Sequence, residues 1–276
     1  MSLRFAYNTN GIANHRLADA LDLIADSGYD GVAITLDHHH LDPFADDFSR
    51  RLTEFAQRLE RLGLGCVVET GARFLLDPRA KHEPTLVSPN AGGRAKRVDF
   101  LKRALDVAAA TRAEAMSFWA GVPKPYVDRD AARAWLMEGV AEVTEHARRV
   151  GAVAALEPEP GMLVETVADF RAVARDVPAL RLALDTGHCL VTGEREPAQA
   201  VHDAADALAT VSLEDMQRGK HVHLPFGEGD MDVAAVLEAL SAIRYAGLVC
   251  VELSRDAHRA DTMVPAALAY LRERLP

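Results

Sequence analysis

Cysteine is scarce in this chain: Cys66, Cys189 and Cys250 are the three found in 276 residues. Three thiols cannot all pair with one another, and each sits in or beside an apolar strand-like run, where cysteine acts as a small buried hydrophobe. A disulfide-stapled secreted scaffold is thereby excluded, and the chain reads as reduced and intracellular. Positive charge is also in deficit, with 31 Lys and Arg against 41 Asp and Glu, a net charge of −10 with histidine neutral. Such a chain lacks the cationic surplus with which non-specific nucleic-acid binders displace counterions. No uncharged apolar run approaches the roughly 20 residues that span a bilayer, so no membrane partner is expected. Met1-Ser2-Leu3-Arg4 leads into a strand-like segment without the apolar core of a signal peptide, and a cytoplasmic location is expected. No Gly-rich cradle of the Walker type is present, so a phosphorylated substrate is not demanded.

What is there is a globular composition, 49% hydrophobic and 26% charged, which excludes disorder, collagen and coiled coil. The punctuation repeats. Eight short apolar runs, Leu3–Tyr7, Gly31–Leu36, Gly65–Glu69, Ala113–Trp119, Ala152–Glu157, Leu180–Asp185, Ala209–Glu214 and Leu248–Leu253, alternate with amphipathic stretches. Apolar residues three and four apart mark the helices: Leu17, Ala20, Leu21 and Ile24, then Leu52, Phe55, Leu59 and Leu62, then Leu101, Leu105 and Ala108, then Trp135, Val140, Val143 and Ala147. Several helices are expected to stop at glycine, at Gly28, Gly63, Gly151 and Gly247. The strands are apolar without alternation, as parallel strands covered on both faces require. No Ser/Gly/Pro linker divides the chain. Eight strand–helix units in this length predict one (β/α)8 TIM barrel over residues 1–276. The longest irregular stretch, Leu76–Gly93, follows the third strand and is expected to lie over the active-site end.

Catalytic residues of such barrels lie at the C-terminal ends of the strands, and this sequence places its ionisable groups there. Strand two ends Asp37-His38-His39-His40, strand three Glu69-Thr70, and strand five Glu157-Pro158-Glu159. Strand six ends Asp185-Thr186-Gly187-His188, strand seven Ser212-Leu213-Glu214-Asp215 followed by His221-Val222-His223, and strand eight Glu252-Leu253-Ser254-Arg255. Carboxylates and imidazoles converging on a barrel axis repel or go unpaired unless a cation holds them, so a divalent metal site is expected.

These strand ends resemble the xylose-isomerase-like barrel superfamily, often labelled sugar phosphate isomerase/epimerase, whose members include hydroxypyruvate isomerase, ketose 3-epimerases, 3-dehydroshikimate dehydratase and, distantly, endonuclease IV. The resemblance covers essentially the whole chain. It implies a metal held by Glu157, Asp185 and Glu252 together with the residue at position 212, and it gives His188 of the Asp-x-x-His run a place facing substrate. The family commonly has a metal-binding histidine where this chain has Ser212, a weak ligand; the site then has three protein ligands plus water, or another group fills in. His221 and His223 are candidates, and with His188 they also resemble the set with which endonuclease IV holds an additional zinc. The ion implied is Mn²⁺, Mg²⁺ or Co²⁺, with Zn²⁺ an alternative.

Four further residues are candidates for substrate contact. Alternation along an extended strand end sends His39 one way and His38 and His40 the other, and His39 is taken as the one that reaches the pocket. Glu159 follows Glu157 by two in a Pro-flanked turn, Arg255 follows Glu252 by three, and Trp119 ends strand four as an apolar wall. The activity implied is isomerisation or epimerisation of a sugar or related polyhydroxy carbonyl compound, with Glu157 and Glu252 moving protons through an enediolate. Dehydration or lyase chemistry on a cyclic polyol by the same site, an endonuclease IV-like zinc phosphodiesterase and an inactive sugar-binding barrel are the alternatives. The expected partner is a small sugar-like molecule, and members of this family often pair as homodimers.

Overall fold

Each short apolar run is too brief and too evenly apolar to make an amphipathic helix, and in the computed structural model, which describes residues 2–276, these runs are strands. In chain order they are β1 (Arg4–Asn8), β2 (Gly31–Thr35), β3 (Gly65–Glu69), β4 (Met116–Trp119), β5 (Ala154–Glu157), β6 (Arg181–Asp185) and β7 (Leu208–Leu213). A hairpin, β8 (Asp215–Gln217) and β9 (Lys220–Leu224), precedes the eighth barrel strand, β10 (Leu248–Val251). All barrel neighbours pair in parallel, in the closed order β1-β10-β7-β6-β5-β4-β3-β2. The chain is thus a (β/α)8 TIM barrel.

The helices are α1 (Leu17–Ser27), α2 (Phe48–Leu62), α3 (Ala91–Thr111), α4 (Arg129–Val150), α5 (Val167–Ala174), α6 (Thr186–Thr192), α7 (Pro197–Ala204), α8 (Val233–Ala242) and α9 (Ala260–Arg272). Their apolar faces, including Leu21, Ile24, Phe55, Leu59, Leu101 and Val143, pack on the outward strand residues in one continuous core. Gly28 and Gly151 close α1 and α4 with φ of +90° and +72°, the left-handed cap that turns a helix into the next strand. Before β10 the turn differs from expectation. Helix α8 ends five residues before Gly247, and Arg244 takes the left-handed conformation at φ +56°. In α9, Leu268 and Leu271 are buried against the barrel. Among the described residues no helix is long and apolar enough to cross a membrane, and all three cysteines are buried and free.

Inside the barrel the side chains are small. Ala6, Ala33, Val67, Leu248 and Cys250 form one inner cluster, and Ala115, Ala155 and Ala183 another. Strand side chains alternate, so the next inward residues, two positions on, are Asn8, Thr35, Glu69, Ser117, Glu157, Asp185 and Glu252. A polar layer therefore lies directly over the small apolar one, at the C-terminal end where loops leave room for a ligand.

Candidate active site

That end opens into a cavity of about 580 Å³, within the range of small-molecule sites. Its walls carry Glu69, Glu157, Glu159, Asp185 and Glu252, with His188, His221, His223, Trp119 and Arg255. Glu157 and Glu252 sit three strands apart around the barrel, on β5 and just beyond β10. Their surroundings differ. Glu157 is deeply buried, and burial and then the charge of Glu159 push its carboxyl well above the ordinary carboxylate range. Glu252 is only partly buried, and its Oε1 accepts a hydrogen bond from Asn10 Nδ2 at 2.8 Å, which fixes its direction.

Asp185 caps α6, accepting the His188 amide at 3.0 Å through Oδ1. Burial works against its charge, but His188, His223 and that amide outweigh it and hold the carboxyl below its usual range. His188 Nδ1 lies 3.0 Å from the Pro158 carbonyl. A carbonyl only accepts, so Nδ1 carries a proton and Nε2 faces the cavity. There Nε2 meets His221 Nε2 at 3.2 Å, Asp185 Oδ2 at 3.4 Å and Glu159 Oε2 at 3.8 Å. Burial and then His188 lower the pKa of His221 to about 4, keeping its ring neutral.

Donor atoms within 4.8 Å of one another make three groups here: Glu157, Asp185 and His188; Glu159, His188 and His221; and Asp185, Glu214 and His223. Glu252 stands outside these groups, as does a gathering of His188, His221 and His223 around one point. The hairpin β8–β9 explains the split. His221 and His223 are two residues apart on one strand face, so each reaches a different carboxylate. Asp215 anchors that hairpin by accepting the Gly227 and Met231 amides at 2.8 and 3.0 Å. Ser212 pairs in register with Asp185 and Cys250, and its carbonyl accepts from Thr186 Oγ1 at 3.0 Å; it does not line the cavity.

His39 also lies away from the cavity wall. Strand β2 ends at Thr35, so the alternation expected of residues 38–40 has no extended chain to carry it. The His39 ring instead packs between His38 and His40, its Nδ1 4.0 Å from Asp37. Trp119 faces the cavity, backed by the buried Arg97 guanidinium 4.1 Å from its ring centre and flanked edge-on by His82. The loop after β3 brings Arg73, Lys81 and His82 to the cavity.

Several cavity residues had no role assigned from sequence. Glu69 is one: Ser117 Oγ donates to its Oε1 at 2.7 Å, and burial and then Glu252 push its carboxyl up to about 8. The strand-end position after an apolar run that drew attention to Glu157 was shared by Glu69, to which the resemblance assigned no role. Asn10, in the 3₁₀ turn Thr9–Ile12, and Arg73, Lys81 and His82, in the loop after β3, have no periodic pattern to point inward.

The sequence matches the family described as Xylose isomerase-like TIM barrel over residues 21–274. The chain belongs to that family. No curated protein sequence matches it. Among solved structures, the apo 3-keto-D-glucoside 4-epimerase YcjR from E. coli superposes with a TM-score of 0.78 at 20% identity, covering 99% of this chain and 100% of its own. The D-allulose 3-epimerase from Methylomonas sp., in complex with D-allulose, gives 0.76 at 21%, covering 99% and 97%. The IOLI protein with a bound zinc atom gives 0.75 at 16%, covering 99% and 96%. At these identities the likeness speaks for the fold.

Proposed function

We propose that this barrel is a divalent-metal-dependent isomerase or epimerase acting on a sugar or related polyhydroxy carbonyl compound in the cytoplasm. The observation that carries it is the pairing of Glu157 and Glu252 across one polar cavity, the first deeply buried and the second aimed by Asn10. The sugar epimerases among its structural relatives support the same class.

The residues fit a cation. Asp185 Oδ2 is buried without a hydrogen-bond partner, and Glu157 beside it is crowded by four other carboxylates, an arrangement that a divalent ion relieves. Glu157, Asp185 and Glu252 would hold it, with His188 adjoining. When bound, the ion would act as a Lewis acid on a substrate carbonyl and its neighbouring hydroxyl. Glu252, aimed by Asn10, is the base that takes the proton from the carbon next to the carbonyl, leaving the enediolate. Glu157, facing the cavity from β5, returns a proton at the neighbouring carbon or on the opposite face. General acid–base catalysis of this kind contributes about 10²- to 10⁴-fold. His188 Nε2 accepts a substrate hydroxyl, His221, His223, Glu159 and Arg255 border it, and Trp119 closes an apolar wall.

Glu252→Gln is expected to abolish turnover of ketoses and 3-keto sugars, and to stop ¹H–²H exchange at the carbon next to the carbonyl followed by NMR, while circular dichroism and Tm stay unchanged. Full activity in that variant overturns the assignment. Glu69, whose carboxyl burial pushes up to about 8, favours one second reading, dehydration, because a neutral carboxyl can donate to a departing β-hydroxyl. A product lighter by one water in the same assay would put that reaction first.

A further inference from the structure

Glu214 has no place in the proton transfer just described, yet it is among the most enclosed side chains in the protein, at 0% exposure. Neither of its carboxylate oxygens has a hydrogen-bond partner. Facing it, His223 Nδ1 lies 3.9 Å from Oε2 and is likewise buried and unpartnered. Asp185 Oδ2 is the third such atom. The three side chains come from the ends of β6 and β7 and from β9, and each offers an atom within 4.8 Å of the others.

A buried carboxylate without donors is unfavourable, and Glu214 has an apolar and bare lining. A Cβ on Gly187 would lie 2.2 Å from Glu214 Oε1, and the Met216 side chain stands 2.9 Å from the same point. Gly187 thus supplies room for the carboxylate, whose polar neighbours are Asp185 and His223. Two carboxylates and one neutral imidazole balance the charge of one divalent ion. Ligand atoms bonded at about 2.0–2.2 Å around a tetrahedral centre stand roughly 3.4 Å apart, so the set needs only a small inward movement. One nitrogen with two oxygens suits a borderline ion such as Zn²⁺, Co²⁺ or Mn²⁺ better than Mg²⁺.

We propose that Asp185, Glu214 and His223 form a second divalent-cation site, adjoining the Glu157–Glu252 position through the shared Asp185 and replacing what Ser212 cannot provide on β7. It goes beyond the proposed function and does not require it, since the donor atoms exist whatever the reaction.

The test is isothermal titration of the chelator-stripped full-length protein with Zn²⁺ at pH 7.5, with circular dichroism on each variant. Wild type is expected to take up two equivalents. Glu214→Gln and Gly187→Ala, the second blocking the carboxylate without removing a ligand, should each weaken one equivalent by about tenfold or more. His223→Gln, a change in a partly open hairpin, should do the same and guards against a folding defect in the buried variants. Glu157→Gln should retain the equivalent that Glu214→Gln loses. An anomalous zinc map of the wild-type crystal should place a peak between the three side chains. One equivalent that Glu157→Gln abolishes and Glu214→Gln leaves intact, or no anomalous peak at Glu214, overturns the second site while the function proposed above stands. A proton shared by Asp185 and Glu214 would give that result.

Discussion

Stripped of metal, the protein should lose stability as the pH rises from 7 to 8. Glu69 is held at about 8 in the folded state against an ordinary 4.5. A group with a raised folded pKa stabilises the fold fully below its unfolded value and loses that contribution as pH climbs through the folded one. Between pH 7 and 8 the unfolded chain has already released this proton and the native state has not, which for Glu69 amounts to about 1 kcal/mol. Glu157 and Glu214, also raised, add to the fall, each by up to about 1.4 kcal/mol per pH unit. His40 and His221 act oppositely, but their folded values near 4 confine them to the range below about 6.5, where the unfolded imidazoles take up protons. Stability should therefore fall gently between about pH 4.5 and 6.5, where the two histidines offset two of the three carboxyls, and fall more steeply above pH 7. Urea unfolding in EDTA at half-unit steps measures this directly. Glu69→Gln should remove about 1 kcal/mol of the fall, and saturating Zn²⁺ should reduce the part that Glu157 and Glu214 contribute. A wild-type curve that is level from pH 7 to 8, or a slope unchanged by Glu69→Gln, refutes the proton placement.

Other consequences concern the frame. Phe118, fully buried on the outer face of β4, should cost about 3–5 kcal/mol when changed to Ala, read by urea denaturation. Gly121 has φ +101°, and a Cβ there would come within 2.3 Å of Thr85 Cβ, so Gly121→Ala should lower Tm by several degrees and disturb the Trp119 wall, seen in tryptophan fluorescence. Arg97 is completely buried with Nε and Nη1 unpartnered and only Nη2 bonded, to the Thr70 carbonyl at 3.0 Å. Arg97→Met should therefore stay within about 1 kcal/mol of wild type or exceed it, whereas Arg97→Ala, which leaves a cavity, should lose more than about 2 kcal/mol.

Much of the barrel is written in local patterns. Runs such as Ala154–Glu157 and Leu248–Val251 have no amphipathic period, and the helices between them show apolar spacings of three and four; both arise from whether one or two faces are covered, which short windows of sequence record. The strand-end rule worked for Glu157, Asp185 and Glu252 because alternation carries a side chain inward while the backbone stays extended. It did not carry to His39, since β2 has already ended, nor to Ser212, which pairs in register with Asp185 without lining the cavity, while Glu214, two residues further on, meets Asp185. The hairpin that divides His221 from His223 depends on Asp215 binding amides 12 and 16 residues away. Such a side-chain-to-amide bond leaves no periodic pattern in the sequence.

The sequence by itself determined a parallel barrel with a ring of carboxylates and imidazoles at one end, because burial period and strand-end position are local properties. Which of those groups share a cation, which hold protons, and which turn away was decided only by tertiary structure. Those outcomes depend on distances of 3 to 4 Å between side chains that different strands and loops bring together, and on the desolvation that only the closed barrel imposes.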